Sequence, residues 1–214
     1  MTVTQIITAA RNRYNAVSDS FWSDSELIQE LYDACLDMAR ESLVIERTYS
    51  TSAVASQQDY AYPGDTIAIK RVTYNGKKLR PISFREDDSI TGLNQSTTAT
   101  GTPQYYAIWN ETLSLRPIPS GTDTIKVWSY NEPAALTATS TLEIPTQFHM
   151  DLVNYILAQM GAKDSNFTAA QFYSLKWSAA KLAAKRWSAR KKRSDGFAAV
   201  QDEDAMIEGP LGAV

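Results

Sequence analysis

The chain has 214 residues, 43% of them hydrophobic, and a formal net charge of −3, which is typical of a globular protein with one large domain or two small ones. It contains one cysteine, Cys35, and one histidine, His149, and these counts exclude internal disulfides, Cys/His zinc sites and multi-histidine metal sites. No apolar run approaches the roughly 18 residues of a membrane-spanning helix. The N-terminal sequence lacks the basic and apolar regions of a signal peptide, so we expect no membrane association.

The charges are distributed unevenly along the chain. Residues 1–150 contain 12 basic and 17 acidic residues, residues 151–193 contain 9 basic and 2 acidic residues, and residues 194–214 contain 5 acidic and no basic residues. The negative total argues against a general nucleic-acid-binding protein. A basic segment between a neutral-to-acidic body and an acidic tail indicates a chain organised for contacts with partners.

Two helices are predicted in the first 44 residues. Apolar residues recur at helical spacing at the start of the chain, where Thr2 or Thr4 is the expected N-cap. Ser23 and Glu26 have the spacing of a capping box, and a single apolar stripe follows them. Cys35 lies in that stripe, so we interpret it as a small buried core residue.

The apolar period changes to two from about residue 45. The segments that predict strands are IERTYSTSAV, DTIAIKRVTYNG, KKLRPISF, PQYYAIWN, ETLSLRPI and DTIKVWSYNEP. Asn75-Gly76 predicts a tight hairpin turn, and prolines in and beside the strands favour short strands with edges. Residues 86–102 are polar and turn-rich, so we expect an exposed loop there.

A helical period returns at residues 144–146. The following segment is apolar around its whole circumference, which predicts a helix buried on most sides, and Gly161 is its expected C-cap. His149 lies in this helix, where we interpret it as a core or interface histidine rather than a catalytic base. The periods together predict an α+β fold with a helical domain (1–44 and 145–193), a β insertion domain of antiparallel strands (46–143) and an extended C-terminal tail (194–214).

The last predicted helix begins after residues 164–166 and has an unusually wide apolar arc. Its polar residues share an arc of roughly 80°; they are Ser174, Ser178, Lys181, Lys185, Ser188 and Lys192. A surface helix of a monomer needs an apolar arc of only a little more than about 100°. We therefore expect one face to be buried in its own domain and another to meet a neighbouring subunit, the alternative being a helix enclosed within one domain.

The end of this helix is strongly basic, and its cations surround Trp187. They are Lys185, Arg186, Arg190, Lys191, Lys192 and Arg193. They could grip nucleic-acid phosphates with Trp187 stacking on a base, complement the helix macrodipole, or meet an acidic partner. The acidic tail that follows is expected to be disordered when free, and its spaced apolar residues could anchor it to a partner, the alternative being an undirected terminus.

The sequence lacks the common catalytic motifs. There is no GxxxxGK[ST], GxGxxG, HExxH or GxSxG pattern. The adjacent acids Asp87-Asp88 and those of residues 202–204 lie in polar segments, where solvated surface is favoured over a metal or catalytic site. We expect a protein that is not an enzyme and needs no cofactor.

The order of the elements, together with three segments, resembles the head-to-tail adaptor proteins of short-tailed phages. The segments are AIKRVTYNGKKLRPISF (68–84), GTPQYYAIWNETLSLRPIPSGTDTIKVWSYNEPAAL (101–136) and IPTQFHMDLVNYILAQM (144–160). The resemblance extends from about residue 4 to residue 190. It implies a structural virion protein of the tail or neck that is present in the host cytoplasm during assembly.

Such adaptors form rings, commonly of twelve subunits, beneath the portal protein, and they link it to tail nozzle and tail fibre proteins while duplex DNA passes through the channel without specific recognition. We expect the subunit and portal interface to contain Trp177, Leu182, Trp187, Arg190, Phe197, Val200, Met206, Ile207 and Leu211. Candidate contacts with DNA or an acidic partner are Lys185, Lys191, Lys192 and Arg193. The alternative function is a DNA-binding packaging accessory protein that uses residues 185–193.

Overall fold

The computed structural model describes residues 1–17, 21–83, 85–86 and 99–194, and for residues 193 and 194 it describes the backbone alone. The fold is α+β, which confirms the predicted class. The chain divides into two compact units, a helical unit made of Met1–Val44 with the chain from Ala135 onward, and a β unit, Ile45–Ala134. The predicted tail anchors and both acidic clusters lie outside the described residues, as does most of the predicted loop at 86–102.

Four α-helices form the described part of the helical unit. They are α1 (Val3–Tyr14), α2 (Asp24–Ser42), α3 (His149–Lys163) and α4 (Phe167–Ser194), and a 3-10 turn, Thr146–Phe148, precedes α3. Helix α3 contacts each of the other three, which explains why its sequence is apolar on nearly every side. Within the described residues, no helix is long and apolar enough to cross a membrane.

Side-chain caps begin the first two helices as predicted. The Thr2 side chain accepts a hydrogen bond from the Gln5 backbone N–H, and the Gln5 side chain accepts one from the Thr2 backbone, which completes a capping box. Ser23 likewise accepts from the Glu26 backbone N–H. The Glu26 carboxylate instead accepts two hydrogen bonds from Lys163 Nζ, both at 2.7 Å, so the second capping box is only half formed.

The prediction that Gly161 ends α3 is wrong. The helix continues to Lys163, and Asp164 is its C-cap. A Cβ atom on Gly161 would lie 2.9 Å from the Ala170 backbone nitrogen in α4. Gly161 therefore permits the close approach of α4, a role for glycine that depends on a residue elsewhere in the chain.

Residues 135–143 belong with the helical unit, whereas the sequence analysis assigned them to the β insertion. The Val3 N–H donates to the Ser140 carbonyl at 3.2 Å, and the Thr4 N–H donates to the Ala138 carbonyl at 3.3 Å. These donors lie in the first turn of α1, where backbone N–H groups have no partner within the helix. The segment is held beside α1 because it satisfies them.

The described part of the β unit contains ten strands in three sheets. The strands are β1 (Glu46–Ser52), β2 (Asp59–Ala61), β3 (Thr66–Tyr74), β4 (Lys77–Lys78), β5 (Arg80–Pro81), β6 (Thr100–Gly101), β7 (Tyr105–Trp109), β8 (Thr112–Arg116), β9 (Ile118–Pro119) and β10 (Thr124–Asn131). Their orders are β1-β10-β3-β4, β2-β8-β7-β5 and β6-β9. The pairing is antiparallel as predicted, except that the short pairs β5–β7 and β6–β9 are parallel.

Two tight turns connect neighbouring strands. Asn75 and Gly76 have φ values of 48° and 75°, which confirms the predicted hairpin between β3 and β4. Asn110 and Glu111 connect β7 to β8 with φ values of 44° and 59°, although this turn contains no glycine to signal it.

The two larger sheets contribute to one hydrophobic core in the β unit. The first sheet supplies Val72, Tyr74, Ile125 and Val127, and the second supplies Tyr60, Tyr106, Leu113 and Leu115. The β unit therefore has a hydrophobic core of its own.

Candidate functional site

In the helical unit, acidic and basic residues are concentrated on different helices. Within α2 there are six acidic residues and one basic residue, whereas α4 has eight basic residues and no acidic residue. Opposite charges of this kind favour contact between the two helices and leave each with a field that can attract a further partner. The two faces of α4 therefore have to be distinguished by what they contact.

The inner face of α4 packs within the helical unit. Trp177 is only 5% exposed, and its indole Nε1–H donates to Asp37 Oδ2 of α2 at 2.8 Å. Its ring also makes an edge-to-face contact with Tyr155 of α3, at a centroid distance of 5.5 Å. Trp177, which the sequence analysis assigned to a subunit or portal interface, is thus a core residue of its own unit.

Part of the predicted polar arc of α4 is also turned inward. Lys181 forms ion pairs with Asp37 at 3.0 Å and with Glu41 at 2.8 Å. Burial opposes its charged form, but the hydrogen bonds with the two carboxylates outweigh burial and raise the pKa of Lys181. Ser188 is buried, and its hydroxyl donates to the Leu43 carbonyl at 3.4 Å. The inward position of these polar groups leaves apolar residues on the opposite side.

The outer face of α4 bears an exposed apolar seam. Phe172, Leu175 and Leu182 are 52%, 67% and 46% exposed, and Ala179 lies between the two leucines. We call these four residues the outer seam. Their alternating spacing of three and four residues is that of the a and d positions in a coiled coil. The seam can therefore accept another helix or an apolar surface.

The other residues that the sequence predicts at an interface or a DNA contact, and that the structure describes, lie at the end of α4. Leu182 and Arg190 are exposed, as are Lys185, Arg186 and Lys191. Trp187 is half-buried, with edge-to-face contact to Phe148 at 5.7 Å and the Lys191 ammonium 5.6 Å from its ring centroid. Lys192 is half-buried, and the side chain of Arg193 lies outside the described part.

The structure brings together two exposed residues that were not among the candidates, Phe172 and Leu175. Both lie in the wide apolar arc of this helix, which also contains Trp177 and Trp187. The three-four spacing from Phe172 to Leu182 places these residues on a different strip of the helix from Trp177, but spacing alone does not say which strip faces outward.

The surroundings of His149 and Cys35 are those of structural residues. The Met1 ammonium donates to His149 Nδ1 at 2.9 Å, and the protonated Nε2 donates to the Ile144 carbonyl at 2.7 Å. Burial lowers the pKa of His149, and burial raises the pKa of the Cys35 thiol to about 12. Across the described ranges, no group of three or more His, Cys, Asp or Glu residues is placed to hold a metal ion.

A comparison with protein-family models supplies the context for these surfaces. The model described as SU10 adaptor protein matches residues 1–201, which is nearly the whole chain. A search of curated proteins found no match. The match confirms the resemblance inferred from the order of elements, and the chain therefore belongs to the SU10 adaptor protein family, as a phage head-to-tail adaptor with a structural role in the neck of the virion.

Proposed function

We propose that this adaptor assembles into a ring, of twelve subunits as the resemblance implies, beneath the portal protein. The ring links the portal to tail nozzle or tail fibre proteins, surrounds the DNA channel, and performs no enzymatic reaction. The observation that carries the proposal is the outer seam of α4, because a helix whose inner face is already buried exposes a second apolar strip.

The size of this strip favours association. Complete burial of a leucine side chain contributes about 1.5–3 kcal/mol, and Leu175 and Leu182 expose roughly half to two thirds of their surface. Covering both in an interface would contribute about 1.7–3.4 kcal/mol on the same scale. A closed ring multiplies that contribution by the number of contacts, because each subunit uses the same pair of faces.

The proposed contacts retain most of the candidates from the sequence. Leu182 and Arg190 lie in the subunit contact, and Trp187 supports them from the edge of the inner face. The tail residues Phe197, Val200, Met206, Ile207 and Leu211 anchor the adaptor to the portal. Trp177 acts indirectly, since it holds α4 against α2.

The test replaces Leu175 and Leu182 by aspartate in the full chain. Analytical ultracentrifugation and negative-stain microscopy, without and with portal rings of the same phage, measure assembly. We expect rings for the unmodified chain and none for the variant, while the circular dichroism of the free chain is unchanged. Ser174→Asp, at an exposed position of the same helix that is not three or four residues from any residue of the outer seam, is the control and should assemble normally. Failure of the unmodified chain to form rings under either condition would contradict the proposal.

A second function is supported by the exposed cations at the end of α4. If Lys185, Arg186 and Arg190 neutralise three phosphates of duplex DNA, the logarithm of the binding constant should fall with the logarithm of salt concentration with a slope of about −2.7. Such binding by the free chain would favour a DNA-binding packaging accessory protein, whereas its absence would leave the ring as the better account.

A further inference from the structure

Most acidic residues of α2 have an ion-pair partner within the helical unit. The pairs are Asp24 with Arg11, Glu26 with Lys163, and both Asp37 and Glu41 with Lys181. Glu30 and Asp33 form no ion pair with any described residue; the Asp33 carboxylate accepts a hydrogen bond from Gln29 Nε2 at 3.0 Å. These two half-buried carboxylates, on adjacent turns of α2, form a negative face that has no ion-paired cation within the described part of the chain.

The negative face is crowded by like charges. Burial is the largest cause that raises the pKa of Glu30, and the carboxylates of Asp33 and Glu26 raise it further, whereas Lys163 opposes them. Residues three or four apart on a helix are neighbours, so acids at positions 26, 30 and 33 repel one another. A cation brought to Glu30 and Asp33 from outside would relieve this repulsion.

Helix α4 carries positive charges that complement the negative face. Arg186 and Arg190 are exposed and form no ion pair within the described ranges of the chain. Arg186 continues the three-four spacing of the outer seam directly after Leu182, so a partner that covers the seam also meets this arginine. Guanidinium groups suit interface carboxylates because their planar donors can bind both oxygens of one carboxylate.

These charges cannot pair within one chain. Helices α2 and α4 run parallel, since Asp37 lies beside Trp177 and Lys181 while the Leu43 carbonyl accepts from Ser188. Glu30 lies seven residues before Asp37, and Arg186 lies nine residues after Trp177. At about 1.5 Å per residue, the two groups are separated by about 24 Å along the helix axes.

We propose that Arg186 and Arg190 of one subunit contact Glu30 and Asp33 of the neighbouring subunit. The inference rests on the proposed ring and identifies its mating faces. The two faces belong to different helices of the same chain, so each copy offers one face and accepts the other. A contact of this heterologous kind continues from copy to copy and closes into a ring when the rotation permits. The apolar seam supplies attraction, and the charges select register and polarity.

The first experiment reverses each face in the full chain and measures assembly under the conditions in which the unmodified chain forms rings. Arg186→Glu with Arg190→Glu, and separately Glu30→Lys with Asp33→Lys, should each lower the assembled fraction at least tenfold, because like charges then meet. An equimolar mixture of the two variants should restore assembly, since each basic face can meet an acidic one. Arg13→Glu with Lys126→Glu, at two other exposed positions, controls for the change in net charge.

The second experiment joins the two faces covalently. In the variant Glu30→Cys with Arg186→Cys, oxidation should give a ladder that extends beyond dimers on a non-reducing gel. A disulfide requires Cα atoms within about 7 Å, so the separation of about 24 Å excludes a bridge within one chain. Burial raises the pKa of Cys35 to about 12, which keeps the native thiol from contributing. Either single cysteine variant should give dimers at most.

The outcomes separate this inference from the ring itself. If the unmodified chain forms rings but the reversed variants assemble equally well and no ladder appears, the charged contact is wrong and the ring stands. If the arginine reversal removes binding to duplex DNA and the mixture with the second variant does not restore assembly, these arginines belong to a DNA surface and the inference is overturned. If the unmodified chain forms no ring, both are overturned.

Discussion

The two faces of α4 predict opposite consequences for Trp177 and Leu175, which are only two positions apart. Trp177 is 5% exposed, donates to Asp37 and packs against Tyr155. Truncation of a buried tryptophan to alanine costs about 3–5 kcal/mol, and the lost hydrogen bond to a carboxylate belongs to that cost. Leu175 is 67% exposed, so Leu175→Ala should change the free energy of unfolding by no more than about 0.5 kcal/mol.

Urea unfolding followed by circular dichroism at 222 nm measures the free energy of unfolding, because most of that signal comes from the helices. Sedimentation velocity measures assembly of the same preparations. We expect Trp177→Ala to lower the unfolding midpoint strongly and Leu175→Ala to leave it unchanged while weakening assembly. Trp177→Phe, which keeps a ring but removes the Nε1–H donor, should cost an intermediate amount of about 1–3 kcal/mol.

Two results would refute this reasoning. If Leu175→Ala destabilised the free chain as much as Trp177→Ala does, the outer seam would already be covered within the protomer and could not serve a partner. If Trp177→Ala left the unfolding free energy unchanged, the inner face would contribute nothing to the packing of α4. If that stable Trp177→Ala variant also failed to assemble, Trp177 would belong to the subunit interface.

Further predictions concern other parts of the chain. Because burial raises the pKa of Cys35 to about 12, a thiol reagent at pH 8 should label the native chain at least tenfold more slowly than the urea-unfolded chain; equal rates would contradict burial. Burial holds the pKa of His149 below its ordinary value of 6.5, so the unfolded chain binds the proton more readily and the free energy of unfolding should fall as the pH decreases below about 6.5. This slope should be smaller in His149→Gln. Gly161→Ala should cost about 1–3 kcal/mol in urea unfolding, since its Cβ would lie 2.9 Å from the Ala170 nitrogen. Deletion of residues 195–214 should leave the circular dichroism and solubility unchanged but prevent docking to portal-containing heads, and normal docking would exclude the tail as an anchor.

Features that depend on a few neighbouring residues were predictable from the sequence. The caps at Thr2 and Ser23 and the turn at Asn75-Gly76 each require side chains or φ values set within four residues. The α+β class followed from the apolar period, which reports local backbone geometry. The family resemblance likewise depended on the order of such local elements.

Features that depend on which surfaces meet were decided only by the tertiary structure. Helical spacing fixes the angle between Trp177 and Leu175 but not which of them faces α2, because either direction would bury apolar area. The hydrogen bond from Trp177 and the ion pairs of Lys181 with α2 settle that choice, since polar groups near a core need partners. Gly161 shows the same limit: its neighbour is Ala170 of the next helix, and close packing between helices has no local signature. The sequence by itself therefore determined that α4 has more apolar surface than one contact needs, and the packing of α2 and α3 against it determined which part remains for a partner.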